Sequence, residues 1–148
     1  ALQMREAVLA ALPRATIAIL AAAVADYAPE RAEGVKIKRE KQDTPSLSLV
    51  KNPDILAEVV ASRASTTVVG FAAETNDLLE NARAKLVRKG CDLIVANDVS
   101  RSDIGFDADR NEVLIVGPRV EDVRAVPVAR KSEIAVSILD RVLEVRRR

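Results

Sequence analysis

Histidine is absent from the 148 residues, tryptophan is absent, cysteine occurs once, and the aromatics number three, Tyr27, Phe71 and Phe106. Without histidine there is no Ser-His-Asp or Cys-His nucleophile and no His-ligated zinc. The single Cys91 excludes an internal disulfide. Set between Gly90 and the apolar run after Asp92, it reads as a small core or near-core residue. Three aromatics do not make a stacking platform for single strands. Twenty-three Lys plus Arg against 22 Asp plus Glu leave a net charge of +1. No global field therefore points to nucleic acid as a partner, and only Arg146-Arg147-Arg148 is locally basic. The five glycines stand apart at 34, 70, 90, 105 and 117, so neither G-x-G-x-x-G nor a P-loop can be written. No apolar stretch approaches the roughly 20 residues that span a bilayer, which leaves no membrane partner. Nor does a charged-then-apolar leader precede the run from Ile17, so a cytoplasmic location is the default.

What remains for chemistry is Lys, Arg, Asp, Glu, Asn, hydroxyls, backbone amides or a bound metal, a set suited to phosphate and nucleotide chemistry. With 49% hydrophobic and 30% charged residues, the chain reads as one soluble domain with a real core. Leu2, Met4, Val8, Leu9 and Leu12 form a helical stripe closed by Pro13. Thr16 to Ala25 is a continuous apolar run, as in a strand covered on both faces. Pro29 to Gly34 reads as a loop. Lys36 to Arg39 and Ser46 to Val50 read as two short strands joined by a polar segment. Asn52-Pro53 reads as an N-cap followed by proline at the first helical position, opening a helix through Ile55, Leu56, Val59 and Val60. Thr67 to Phe71 and Asp92 to Ala96 are buried strands. Between them lies a helix with Leu78, Leu79, Ala82 and Leu86 inward and Gly90 as its stop. Glu112 to Val116 is a further strand, and Lys131 to Val145 a closing amphipathic helix.

Alternating strands and helices predict an α/β fold with an open, mostly parallel sheet. The excursion over roughly 35–50 breaks the alternation and reads as an inserted two-stranded flap, suited to dimerisation or to covering a ligand. In such sheets ligands bind beyond the carboxyl ends of the strands. Asp26, Phe71 to Glu74 and Asn97-Asp98 close three strands and so meet at one rim. Asp26 is either a crevice residue or an ordinary loop cap or lysine partner. Lys85 and Lys89, four apart on one helix, either share an anion such as a triphosphate or belong to a solvated face. Lys36, Lys38 and Arg39 concentrate positive charge in the flap, where it also blocks edge pairing.

Taken in order, "AAAVADYAPE", "KIKR", "LVKNPDIL", "VVGFAAETNDLLENARAKLVRKGCDLIVANDVS" and "GFDADRNEV" resemble the phosphopantothenoylcysteine synthetase of coenzyme A biosynthesis in its bacterial, CTP-using form. The resemblance runs from Ile17 to the last helix and is most diagnostic from Gly70 to Ser100. It implies a Rossmann-like fold with a dimerising flap, hence a homodimer. It also implies a two-step ligation: CTP and Mg²⁺ convert 4′-phosphopantothenate to an acyl-cytidylate, and the cysteine amine then displaces CMP. Carried over by position, it places nucleotide contacts at Asp26, Lys36, Pro53, Asp54, Ile55, Leu56, Phe71, Lys85 and Lys89. Asp26 would hold the nucleotide directly or through Mg²⁺, and Lys36 would support the second step. Asn97 and Asp98 would shape the pocket.

The family carries, ahead of the helix that opens this chain, a strand and a Gly/Arg/Asn/Ser-rich loop that contact phosphopantothenate and the acyl-cytidylate. Residues 1–148 are thus expected to be a single CTP-binding synthetase domain lacking that segment. They also lack the FMN-dependent decarboxylase domain often fused to bacterial synthetases. The alternative is a nucleotide-binding and dimerisation core that does not complete catalysis.

Overall fold

The computed structural model describes residues 1–31, 34, 46–100 and 108–147. Helix α1 (Leu2–Ala11) runs into a 3-10 turn, Leu12–Arg14, at Pro13, and the chain enters strand β1 (Ile17–Leu20). Strands β2 (Tyr27–Pro29) and β3 (Leu49–Lys51) precede helix α2 (Ile55–Ser62) and strand β4 (Thr67–Glu74). Helix α3 (Leu78–Lys89), strands β5 (Leu93–Asp98), β6 (Arg110–Val116) and β7 (Val123–Arg130), and helix α4 (Lys131–Arg146) complete the order.

The main sheet has the order β1-β4-β5-β6-β7. Strands β1, β4 and β5 are parallel, β6 runs against β5, and β7 runs against β6. All but β6 therefore point the same way, which is the mostly parallel α/β architecture expected. Alternate side chains on β4 and β5 supply two cores. Val68, Ile94 and Ala96 pack under α2 and α3 with Ile55, Val59, Ala82 and Leu86. Val69, Leu93 and Val95 face α4, where Ile134, Ile138 and Val142 close over them. Burial on both faces is why these strands read as unbroken apolar runs. Gly90 adopts φ +67° as the left-handed stop of α3, a conformation that costs a residue with a Cβ.

Four features differ from the expectations, add to them or leave one of them open. The apolar run from Thr16 is strand only over Ile17–Leu20, and residues 21–26 are exposed. Among the described residues β1 pairs with β4 alone, and its register ends at Leu20 opposite Gly70. The chain then leaves the sheet, so Asp26 lies beyond the strand instead of closing it. Second, the small antiparallel sheet joins β3 to β2, Tyr27–Pro29. The expected partner, Lys36 to Arg39, lies outside the described residues. Third, α2 begins at Ile55, capped by Asp54, whose Oδ1 accepts from the Ala57 N–H at 3.1 Å. Asn52 instead donates through Nδ2 to the Ala25 carbonyl and through its N–H to the Asp26 carbonyl, both at 2.8 Å. Fourth, β7 was not expected. Its Pro127 cannot donate to a ladder, and it is tolerated because β7 is an edge strand among the described residues and its register with β6 shifts there, between the Val113–Val126 and Asn111–Ala129 pairs.

At the opposite end from the carboxyl rim, a charged network fastens α4 to the β6–β7 turn. Arg141 and Asp122 are each only 6% exposed and meet at 3.0 Å. Arg119 adds a second contact to Asp122 at 2.9 Å, and Arg141 and Arg124 both reach Glu144. The Arg119 hydrogen bond, followed by that from Arg141, holds the Asp122 carboxyl far below the usual carboxylate range against the opposing effect of burial. A depressed folded-state pKa stabilises the fold above the ordinary carboxylate pKa, and that stability is lost as pH falls through and below it. Asp122→Asn should therefore lower the melting temperature by several degrees at pH 7, with a difference from the parent that narrows steadily between pH 5 and pH 2. Thermal melts followed by circular dichroism across that range check this; a pH-independent difference would refute the linkage.

Candidate functional site

Strands β1, β4 and β5 all end at one rim, β6 starts there, and α4 begins there as β7 ends. A cleft of about 910 Å³ opens along it. Every described residue singled out for nucleotide contact lines this cleft: Asp26, the Pro53–Leu56 segment, Phe71, Lys85 and Lys89. Asn97 also lines it. Asp98 does not; its carboxylate accepts from the Ser100 N–H at 2.8 Å and Oγ at 2.6 Å. Lys36 lies outside the described residues.

Each wall follows from a local feature. The Asn52 bonds to Ala25 and Asp26 tie the segment after β1 to the approach of α2, which places Asp26 opposite the cap of that helix. Gly70 lets α2 lie close on β4, since a Cβ there would meet Leu56 Cδ2 at 2.7 Å. Leu56 can thus reach the cleft. Phe71 follows on β4, half-buried, with its ring against the core on the α4 face.

Both lysines of α3 are answered by the protein. Lys85 Nζ donates to the Phe71 carbonyl at 2.8 Å. Its pKa is pushed down, first by burial and then by the charges of Lys89 and Arg88, with Glu74 opposing. Lys89 forms an ion pair with Asp54. Burial would raise the Asp54 carboxyl, but the hydrogen bonds from Lys89 and the Ala57 N–H, with the charges of Lys89 and Arg88, outweigh it and hold the group below its ordinary value. Mutual repulsion of the lysines is thus relieved by a carbonyl and a carboxylate, both of which an incoming anion must replace or accommodate.

Three cations of the cleft were not singled out from the sequence: Lys51, Arg88 and Lys131. Arg88 was legible, because it is three residues from Lys85 on the same helical stripe. Lys131 was not, since its position depends on β7. Among the described residues no group of three or more acids or cysteines could hold a metal ion. Asp26 offers a single carboxylate, which fits a magnesium ion carried chiefly by phosphate oxygens and water and not one held in a protein cage.

The DNA/pantothenate metabolism flavoprotein C-terminal domain matches residues 1–145. The chain belongs to this family. Its relatives include the coenzyme A biosynthesis bifunctional protein CoaBC of Escherichia coli, 41% identical over 146 residues, a match covering 97% of this chain and 36% of the relative. The protein of the same description from Vibrio cholerae is 39% identical over 145 residues, with the same coverage. This member of the family thus spans little more than a third of those relatives' length. The crystal structure of the C-terminal domain of CoaBC superposes with a TM-score of 0.74 at 30% identity, covering 96% of this chain and 60% of that one. The family's fold is therefore the fold found here.

Asp54 has two separable tasks in this site. Asp54→Asn should keep the cap and lose only the exposed ion pair, costing under about 1 kcal/mol, whereas Asp54→Ala should lose both and cost about 1–2 kcal/mol. Urea denaturation of the two variants checks the order, and equal losses would remove the cap from the account.

Proposed function

We propose that this chain is the ligase part of a coenzyme A biosynthesis protein, acting on CTP, 4′-phosphopantothenate and cysteine. The observation that carries this reading is the convergence of Asp26, Pro53 to Leu56, Phe71, Lys85 and Lys89 on one cationic cleft at the strand ends. Those residues lie on separate elements and are brought together only by the fold.

In the proposed reaction the pantothenate carboxylate attacks the α-phosphorus of CTP. The α–β phosphoanhydride breaks, pyrophosphate leaves, and an acyl-cytidylate forms. The cysteine amine then attacks the acyl carbonyl; the acyl–phosphate bond breaks, CMP leaves, and the amine gives up a proton. Lys85 and Lys89 would hold the phosphates by charge-assisted hydrogen bonds, trading their present acceptors for phosphate oxygens. Phe71 and the start of α2 would lie against the nucleoside. Asp26 would be the protein ligand of Mg²⁺, whose contribution is to neutralise phosphate charge. Lys36 would stabilise charge developing at the acyl carbonyl in the second step.

The reading includes a homodimer in the cytoplasm. Its support is the small β2–β3 sheet, which exposes Tyr27, Leu49 and Val50 next to exposed Leu47, an apolar surface that a second copy would cover. A second reading is a nucleotide-binding and dimerisation core without turnover, which the same cationic cleft would serve by binding alone.

Calorimetric titration with CTP and Mg²⁺, with ATP as comparison, is the deciding test. Saturable binding that prefers CTP is expected, and Lys85→Ala should weaken it by at least about tenfold. No CTP binding by the parent chain would overturn the assignment. Formation of acyl-cytidylate from CTP and 4′-phosphopantothenate separates the ligase from the binding core. Lys36→Ala should leave CTP affinity nearly unchanged and slow consumption of the acyl-cytidylate by cysteine in a catalytically competent chain; normal consumption would remove Lys36 from the mechanism.

A further inference from the structure

Helix α3 turns three cations to the cleft, Lys85, Arg88 and Lys89. Their spacing sets them on one stripe. Two are engaged: Lys85 with the Phe71 carbonyl and Lys89 with Asp54. Among the described residues Arg88 has neither a hydrogen bond nor an ion pair, and its side chain is exposed. It is still close enough for its charge to bear on both Asp54 and Lys85. The charged groups that share the cleft are Lys51 and Lys131, with Asp26 and Asp54 as the only acids among the described lining residues. The wall is cationic in sum; among the described residues Arg88 and the exposed Lys51 are its cations without a side-chain hydrogen bond or ion pair, and of the two only Arg88 shares the helix of Lys85 and Lys89.

Exposure also separates them: Lys85, with its Nζ on the Phe71 carbonyl, and Lys89 are part-buried, whereas Arg88 is exposed. A polyphosphate entering with its nucleoside end at Phe71 would extend outward along this stripe. At its outer end a planar guanidinium, able to grip two oxygens at once, is better suited than an ammonium to a group with several equivalent oxygens.

We propose that Arg88 is a phosphate-binding residue of the cleft, its fork receiving the distal phosphates of a nucleoside triphosphate, the part that leaves as pyrophosphate. This role rests on the nucleotide reading of the cleft and adds a residue that reading did not contain.

Parent chain and variants are titrated with CTP, CMP and inorganic pyrophosphate, with Arg83→Ala as control. Arg83 lies on the same helix, outside the cleft, and donates to the Val120 carbonyl. Arg88→Ala and Arg88→Gln should lose between about tenfold and about a hundredfold in affinity for CTP and pyrophosphate, while CMP binding changes by less than about twofold. Arg88→Lys should recover only part of the loss, and Arg83→Ala should bind like the parent. Two variants guard against misfolding, since glutamine keeps the stem that covers the helix surface. Parent-like affinity for CTP and pyrophosphate in both would overturn the role of Arg88 and leave the nucleotide reading standing. Equal losses for CMP and CTP would overturn its distal placement. Pyrophosphate binding that depends on Arg88 in a chain that does not bind CTP would support the anion site and remove the nucleotide reading. A parent chain that binds neither would end both.

Discussion

A strand buried on both faces can hold no charge until it leaves its cover, and that constraint decides where chemistry is possible in this chain. Strands β4 and β5 lie between α2 and α3 on one side and α4 on the other. Their side chains are apolar for as long as the helices shield them. Polar atoms can appear only where the helices stop, so Asn97 sits at the end of β5 and the Lys85 ammonium reaches the backbone carbonyl of Phe71 near the end of β4. The cleft is the place where the two cores run out together.

Helix α3 then acts as a ruler along that boundary. Ala82 and Leu86 fix its inner face in the core, and this alone sets the rotation at which Lys85, Arg88 and Lys89 emerge. Because Leu86 is buried, the helix cannot turn its Lys85 and Lys89 positions away from the cleft without unpacking. Asp54 performs the matching task on α2: one carboxylate ends that helix and meets Lys89. The two helices are thus held in relation by a contact at the cleft as well as by packing beneath it.

What was legible in the sequence follows the same division. Strands β4 and β5 and helix α3 were readable because continuous apolar runs and a terminal glycine are direct records of burial and of a left-handed stop. The run at Thr16 to Ala25 misled because alanine counts as apolar yet buries little surface; Ala21, Ala22, Ala23 and Ala25 are all exposed beyond the strand. Strand β7 was unreadable because arginines and a proline occupy an edge, where neither burial nor an unbroken ladder is demanded. The cap shifted from Asn52 to Asp54 because both are good caps and only the fold gives Asn52 other acceptors. At the site, the resemblance located the residues, and the geometry added what no motif carries: which of the described cations are engaged and which are free.

Pro127, with the shifted register beside it, has an effect beyond β7. A strand that lacks an amide donor at that point and is bent out of register is a poor template for another chain. The outer side of β7 is therefore blunt toward strand addition. In a crowded solution that side of the sheet resists edge-to-edge aggregation by geometry as well as by the charge of Arg124 and Arg130.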